Sequence, residues 1–195
     1  MSVEIADRFT MRDIEDGLDA AIAQARAGEP RGFEALFHAL GGPVSAYLRA
    51  RSVNDPDGIA NDVFLRAFRT IHTFQGDAQR FRSWIFTIAH HAAVDDIRRQ
   101  QRRVREAPLA WAPETAASDV ATEVIAGLAY ERVHAILSGL GADQRDVLML
   151  RIVSDLSLAE TAEVLGKSYE AVKALQRRGL TALRVALSSQ EGAPR

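Results

Sequence analysis

No stretch of this chain alternates apolar and polar residues as a half-buried strand must; its apolar side chains recur every three or four positions instead. That spacing confines the fold to helices. From Phe33, the residues Leu36, Phe37, Leu40, Val44, Tyr47 and Leu48 continue one helix face, with a bend expected at Gly41-Gly42-Pro43. Asp55-Pro56 opens the next helix with proline in its first turn. Its expected inner stripe is Ile59, Val63, Ala67 and Ile71, flanked by Phe64 and Phe68. A loop from Thr73 to Arg80 then leads into a long helix, from about Phe81 to Arg103, with Trp84, Ile85, Ile88, Ala89, Ala92 and Ile97 inward. A short helix from Asp13 to Ala27 precedes this set.

Beyond residue 105 the composition changes to prolines, alanines and acids, as in a linker. Residues 106–131 hold five acids and no base. Val120, Val124, Leu128, Val133, Ile136 and Leu137 begin a second helical set, and a helix follows from Asp143 to Ile152. The expectation is an all-α chain of two small helical domains joined by a flexible acidic linker, the second containing a helix-turn-helix. The parts are an acidic N-terminal extension (1–30), a first domain (31–105), the linker (106–119), a second domain (120–188) and a tail (189–195). Domains this short have small cores and need partners for stability.

Charge is partitioned rather than absent: the net value is -2, yet residues 96–105 carry five arginines and residues 167–184 carry five bases. Two basic blocks flanking an acidic stretch suit two separate contacts with a polyanion. The chain has no cysteine, which excludes disulfides and thiolate chemistry and makes a cytoplasmic protein the default. No apolar run reaches the length of a membrane span, and no secretion signal is read at the N-terminus.

The C-terminal block has its own grammar. Ser157 followed by Glu160 fits a capping box, Gly166 fits a helix stop, and Ser168 can cap the next helix, from Tyr169 to about Leu187. Two short helices joined at a glycine, the second basic, form the pattern of a DNA-reading helix-turn-helix. On a helical wheel Val172, Leu175, Gly179, Leu183 and Leu187 face the core, while Lys173, Arg177 and Arg184 gather on another side beside Glu170. The alternative is a surface helix with an ordinary basic face.

In the first domain, Arg98/Arg102 and Arg99/Arg103 are like-charge i,i+4 pairs, which repel unless an anion completes them. Upstream, Phe74, Phe81, Arg82 and Trp84 interleave aromatic and basic side chains around Gln75-Gly76-Asp77, a composition that suits unpaired bases. A core role for Phe81 and Trp84 is the alternative. His90, His91, Asp95 and Asp96 put His91 and Asp95 four apart on one helix face, a spacing metal sites use, but no second ligand cluster accompanies them. No metal, cofactor or catalytic residue is assigned.

Four stretches, Phe33 to Arg51, Asn61 to Asp77, Phe81 to Arg103 and Leu140 to Leu187, together resemble the extracytoplasmic-function sigma factors of bacterial RNA polymerase, in order and with matching gaps. The resemblance implies a promoter-specificity subunit that is not itself an enzyme. It implies core-polymerase docking on the clamp helices of the largest subunit through Asn61, Asp62, Phe64, Leu65 and Phe68, with the β flap as a further contact. It implies that Phe74, Gln75, Gly76, Asp77, Arg80, Phe81, Arg82, Trp84, Arg98, Arg99, Arg102 and Arg103 open and hold the −10 element as a melted non-template strand. It implies −35 duplex reading by Ser168, Tyr169, Glu170, Lys173, Arg177 and Arg178. The linker would thread through the polymerase, and an anti-sigma factor is an expected partner. The chain departs from the family pattern at Gly58, where an acid is usual, at Asn61, where glutamine is usual, and at Ala174 and Gly179. Rival expectations are a metal enzyme and a stand-alone regulator using only the helix-turn-helix.

Overall fold

This computed structural model describes residues 11–106, 136–137 and 139–191, which include seven α-helices and one 3-10 turn; none of the described residues is in a strand. The linker and most of the helical set expected before Leu140 lie outside the described residues.

α1 (Met11–Arg26) lies along α2 (Pro30–Ala50) and buries Leu18, Ala21, Ile22 and Ala25. The segment set apart above as an acidic extension therefore supplies one face of the first domain's core. A charge count over a window averages out an amphipathic helix, which is why the apolar face was missed. One of its acids, Asp19, accepts a 2.6 Å hydrogen bond from the backbone N–H of Ala78, the first residue of α4 (Ala78–Glu106), and so caps that helix from another element. α2 runs as one helix through Gly41-Gly42-Pro43, the place where a bend is expected from the sequence.

α3 (Pro56–Thr70) starts at an Asp55 cap whose carboxylate accepts from the Gly58 N–H at 2.9 Å. A Cβ at position 58 would stand 2.7 Å from the Asp55 carboxyl carbon, so the glycine leaves room for this cap. The inner stripe is Ala60, Val63, Phe64, Ala67 and Ile71. It is rotated from the expected one: Phe64 is core, and Ile59 is half-buried. A 3-10 turn (Ile71–Thr73) leads to α4, which starts three residues earlier than expected and buries Phe81, Ile85, Phe86, Ala89 and Ala93.

The second domain comprises α5 (Ala142–Ile152), α6 (Leu158–Leu165) and α7 (Tyr169–Glu191). Both arms of the capping box are present: Glu160 N–H donates to Ser157 Oγ at 3.2 Å, and Ser157 N–H donates to the Glu160 carboxylate at 2.7 Å. Gly166 ends α6 at φ +59°, a left-handed conformation that costs glycine little. Val172 and Leu175 are buried with Val147 and Ala162. The expected stripe stops short, because Leu183 is half-buried and Leu187 is exposed.

The two domains do not stand apart. One apolar cluster runs from Leu36, Val44 and Phe86 of the first domain to Met149, Leu150, Leu156 and Val164 of the second. Each unit is too short to bury enough apolar surface alone, and here each covers the other.

Candidate polymerase and nucleic-acid surfaces

The residues expected to dock on polymerase divide by burial. Asn61, Asp62 and Leu65 are exposed on α3, Leu65 by 52%. Phe64 is only 2% exposed, and its ring packs edge-on against Phe37 at 4.9 Å and tilted against Phe68 at 5.6 Å. Phe64 therefore braces the surface from beneath rather than belonging to it, and Phe68 is half-buried beside Phe33. Phe37, placed above on the inner face of α2, is instead exposed and lines an open groove with His38, Gly41 and Asn61. Its helical phase lies at the margin of the α2 stripe, so the sequence carried no signal that it faces outward.

The aromatic-basic loop is also mostly interior. Phe81 is fully buried and Phe74 nearly so. Phe74 stacks on Trp84 at 5.2 Å, and both rings meet Phe81 edge-on. Phe74 and Phe81 are thus packed as supports beneath Trp84, which for Phe81 is the core role named above as the alternative. Trp84 remains half-buried and lines a groove with Gln75 and Arg80 on one side and Glu160 and Glu163 of α6 on the other. Gln75, Gly76, Asp77 and Arg80 are exposed, whereas the Arg82 side chain retains 12% exposure and faces Asp155 at 3.8 Å. Arg98, Arg99, Arg102 and Arg103 all lie exposed along the end of α4. Arg99 is 3.5 Å from Asp96, whose carboxylate is turned inward to the Asn54 N–H and to Gln100.

On α7, Ser168 caps the first turn through the Ala171 N–H at 3.2 Å, and Tyr169, Glu170, Lys173, Arg177 and Arg178 are all exposed. The helix is backed by Leu148, which a Cβ at Gly179 would meet at 3.0 Å, so α5 and α7 pack closely and fix the direction of the basic face.

Residues 36–103 match the Sigma-70 region 2 family, and residues 136–185 match the family Sigma-70, region 4. The ECF RNA polymerase sigma factor SigD of Mycobacterium tuberculosis is 31% identical over 192 residues, covering 94% of this chain and 89% of the relative. The chain belongs to the extracytoplasmic-function sigma factors. SigX of Bacillus subtilis is 30% identical, over 71% of this chain and 73% of its own. A solved structure of CnrH in complex with the cytosolic domain of CnrY is similar at a TM-score of 0.64 and 26% identity, covering 88% of this chain and 98% of that one. This sigma factor is therefore a promoter-recognition subunit of RNA polymerase and not a catalyst. A match over 94% of the chain also takes in most of α1, consistent with that helix being part of the domain. No helix among the described residues is long and apolar enough to cross a membrane.

A polar knot ties the two domains of this sigma factor together. Arg51, the C-cap of α2, pairs with Asp146 of α5, and both side chains are largely buried. Tyr47 donates its hydroxyl to His90 Nδ1 at 2.8 Å, and Arg51 Nη1 lies 3.2 Å from the same nitrogen. A guanidinium can only donate, so Nδ1 is the acceptor and His90 carries its proton on Nε2. His90 is thereby committed to this knot, and the described residues contain no group able to hold a metal ion. Arg145 spans the same seam, donating to Leu137 O at 2.9 Å, Leu140 O at 3.2 Å and Ala50 O at 3.0 Å, the last being the terminal carbonyl region of α2.

The knot sets opposing pH dependences. Burial, followed by the charges of Arg51, His91 and Lys167, pushes His90 down from 6.5 to about 4, with Asp143 partly opposing. The unfolded chain binds that proton first, so this group removes stability as pH falls from 6.5 towards 4. Burial pushes Asp146 up from 3.8 to about 6, despite Arg51. The folded chain binds that proton first, so this group adds stability as pH falls through 6. Thermal melts of His90→Asn between pH 7 and 5 should show stability rising relative to wild type. Asp146→Asn should show it falling more steeply. Parallel profiles for both variants would contradict the assignment.

Proposed function

We propose that this sigma factor divides promoter recognition among the three surfaces described above. Asn61, Asp62 and Leu65, with Phe37 beside them, dock on the clamp helices of the largest polymerase subunit. The Gln75–Trp84 groove and the Arg98, Arg99, Arg102 and Arg103 stripe hold the melted non-template strand of the −10 element. Arginines there contribute salt-dependent affinity through phosphates, while Trp84 offers the ring available for stacking. The first turns of α7 enter the major groove of the −35 element, with Lys173 and Arg177 as readers or register-setting phosphate contacts. The second domain meets the β flap, and an anti-sigma factor restrains the free chain. CnrH, the structural relative, is seen with the cytosolic domain of CnrY, which supports a protein partner of that kind.

The observation that carries this reading is α7: its Lys173 and Arg177 stand exposed on one side while Val172 and Leu175 anchor the other in the core. The test is run-off transcription with bacterial core polymerase and a pool of genomic promoter fragments. Discrete transcripts are expected from wild type. Leu65→Glu should lower transcription and core binding at least about tenfold without changing the melting temperature, since the side chain already faces solvent. Lys173→Glu with Arg177→Glu should abolish transcription while leaving core binding intact. Retained duplex binding with neither core binding nor transcripts would favour the stand-alone regulator.

A further inference from the structure

The closed arrangement treats the two DNA surfaces unequally. The α7 residues assigned to duplex reading are all open to solvent. The groove assigned to the melted strand keeps Gln75 and Arg80 exposed at its rim, but α6, the first helix of the helix-turn-helix, forms its opposite wall. Gln79 of α4 donates to the Glu160 carboxylate at 2.9 Å, and Glu163 lines the same groove as Trp84 and Arg80. Arg82 is drawn into the seam towards Asp155, yet at 3.8 Å the pair is loose and the buried Arg82 Nε has no hydrogen-bond partner. A buried guanidinium nitrogen left unpartnered costs free energy that a better acceptor would recover. Glu160 and Glu163 line this groove together with Gln75 and Arg80, while Asp155 faces Arg82 at the seam. Burial would raise the Glu160 carboxyl, but hydrogen bonds from Ser157 and Gln79 outweigh it and hold the group below its usual value, hence ionised at neutral pH.

We propose that α6 is an internal stand-in for the melted strand: its carboxylates occupy the −10 groove in the free chain, so that closure blocks single-strand capture while leaving duplex reading by α7 available. The proposal rests on the assignment of that groove to the −10 strand. Exchange is favoured because phosphates can satisfy Arg82 fully where Asp155 does not. The seam itself is held by the Arg51–Asp146 pair and by Arg145, which lie away from the groove and so fix closure without touching DNA.

The chain has no cysteine, so a pair introduced as Gln79→Cys and Glu160→Cys can be bridged uniquely by a cleavable bis-maleimide. The probes are the −10 non-template strand and the −35 duplex of a promoter defined by the run-off assay. Bridging should weaken single-strand binding at least about tenfold and leave duplex binding unchanged, and cleaving the bridge should restore it. Equal single-strand binding by bridged and cleaved chains would overturn the masking. A second readout needs no DNA. In a Trp111→Phe background Trp84 is the only tryptophan, and iodide should quench it more strongly in Asp146→Arg than in the bridged chain. Equal quenching would overturn closure. A chain whose Trp84 responds as expected, but which captures no strand even after cleavage, would refute the groove assignment instead.

Discussion

Phe81→Ala should lower the stability of this sigma factor by about 3–5 kcal/mol, a cost at the level of the whole fold. Phe81 is fully buried and is the ring against which both Phe74 and Trp84 rest edge-on. Truncation removes the transfer free energy of a ring and leaves a cavity that the surrounding packing closes only in part. The consequence reaches function, because the face of Trp84 towards the groove is set by its stack on Phe74, which is itself set by Phe81. Urea titration followed by circular dichroism reads the cost directly. Where enough chain remains folded, Trp84 emission should shift as well. A loss below about 1 kcal/mol would mean that the ring is a surface contact after all, as the aromatic-basic pattern alone allowed.

Gly32→Leu should cost about 3 kcal/mol, the upper end of what overpacking does, because the obstacle is backbone. A Cβ at position 32 would stand 2.7 Å from the Ala21 carbonyl oxygen and 2.8 Å from Gln24 Cβ, besides meeting the Ala25 nitrogen. Neither α1 nor α2 can move a carbonyl without breaking its own ladder, so the helices must separate along the contact formed by Ala21, Ile22 and Ala25. The informative control is Gly17→Ala, in α1 itself, where no atom lies within 4 Å. It should stabilise by up to about 1 kcal/mol through helix propensity alone. Opposite signs at the two glycines, measured as shifts of the urea midpoint, would separate packing from backbone entropy. A neutral Gly32→Leu would mean that α1 does not dock as described.

The same contrast runs through the chain. Features that depend on local interactions were legible without the fold. Ser157, Glu160 and Gly166 bound α6 because a capping box and a left-handed stop need only residues within a few positions of one another. The basic face of α7 was legible for the same reason, since helical phase alone puts Lys173 and Arg177 opposite Val172 and Leu175. The exposed arginines at the end of α4 needed no neighbour to be read.

Tertiary structure alone decided the rest. Periodicity shows that α3 has an apolar side, but that side is wide enough to hold either Ile59 or Phe64 at its centre, and the choice fell to Phe37 packing across from α2. It likewise made Phe74 and Phe81 supports and left Trp84 half-buried at the groove. Closure of the two domains was invisible in advance because it depends on pairs far apart in the chain: Arg51 with Asp146, Ala50 with Arg145 and Gln79 with Glu160. No helical period relates such residues. Two cores too small to bury their own apolar surface were placed against each other, and the charged groups at the seam took partners that only that placement supplies.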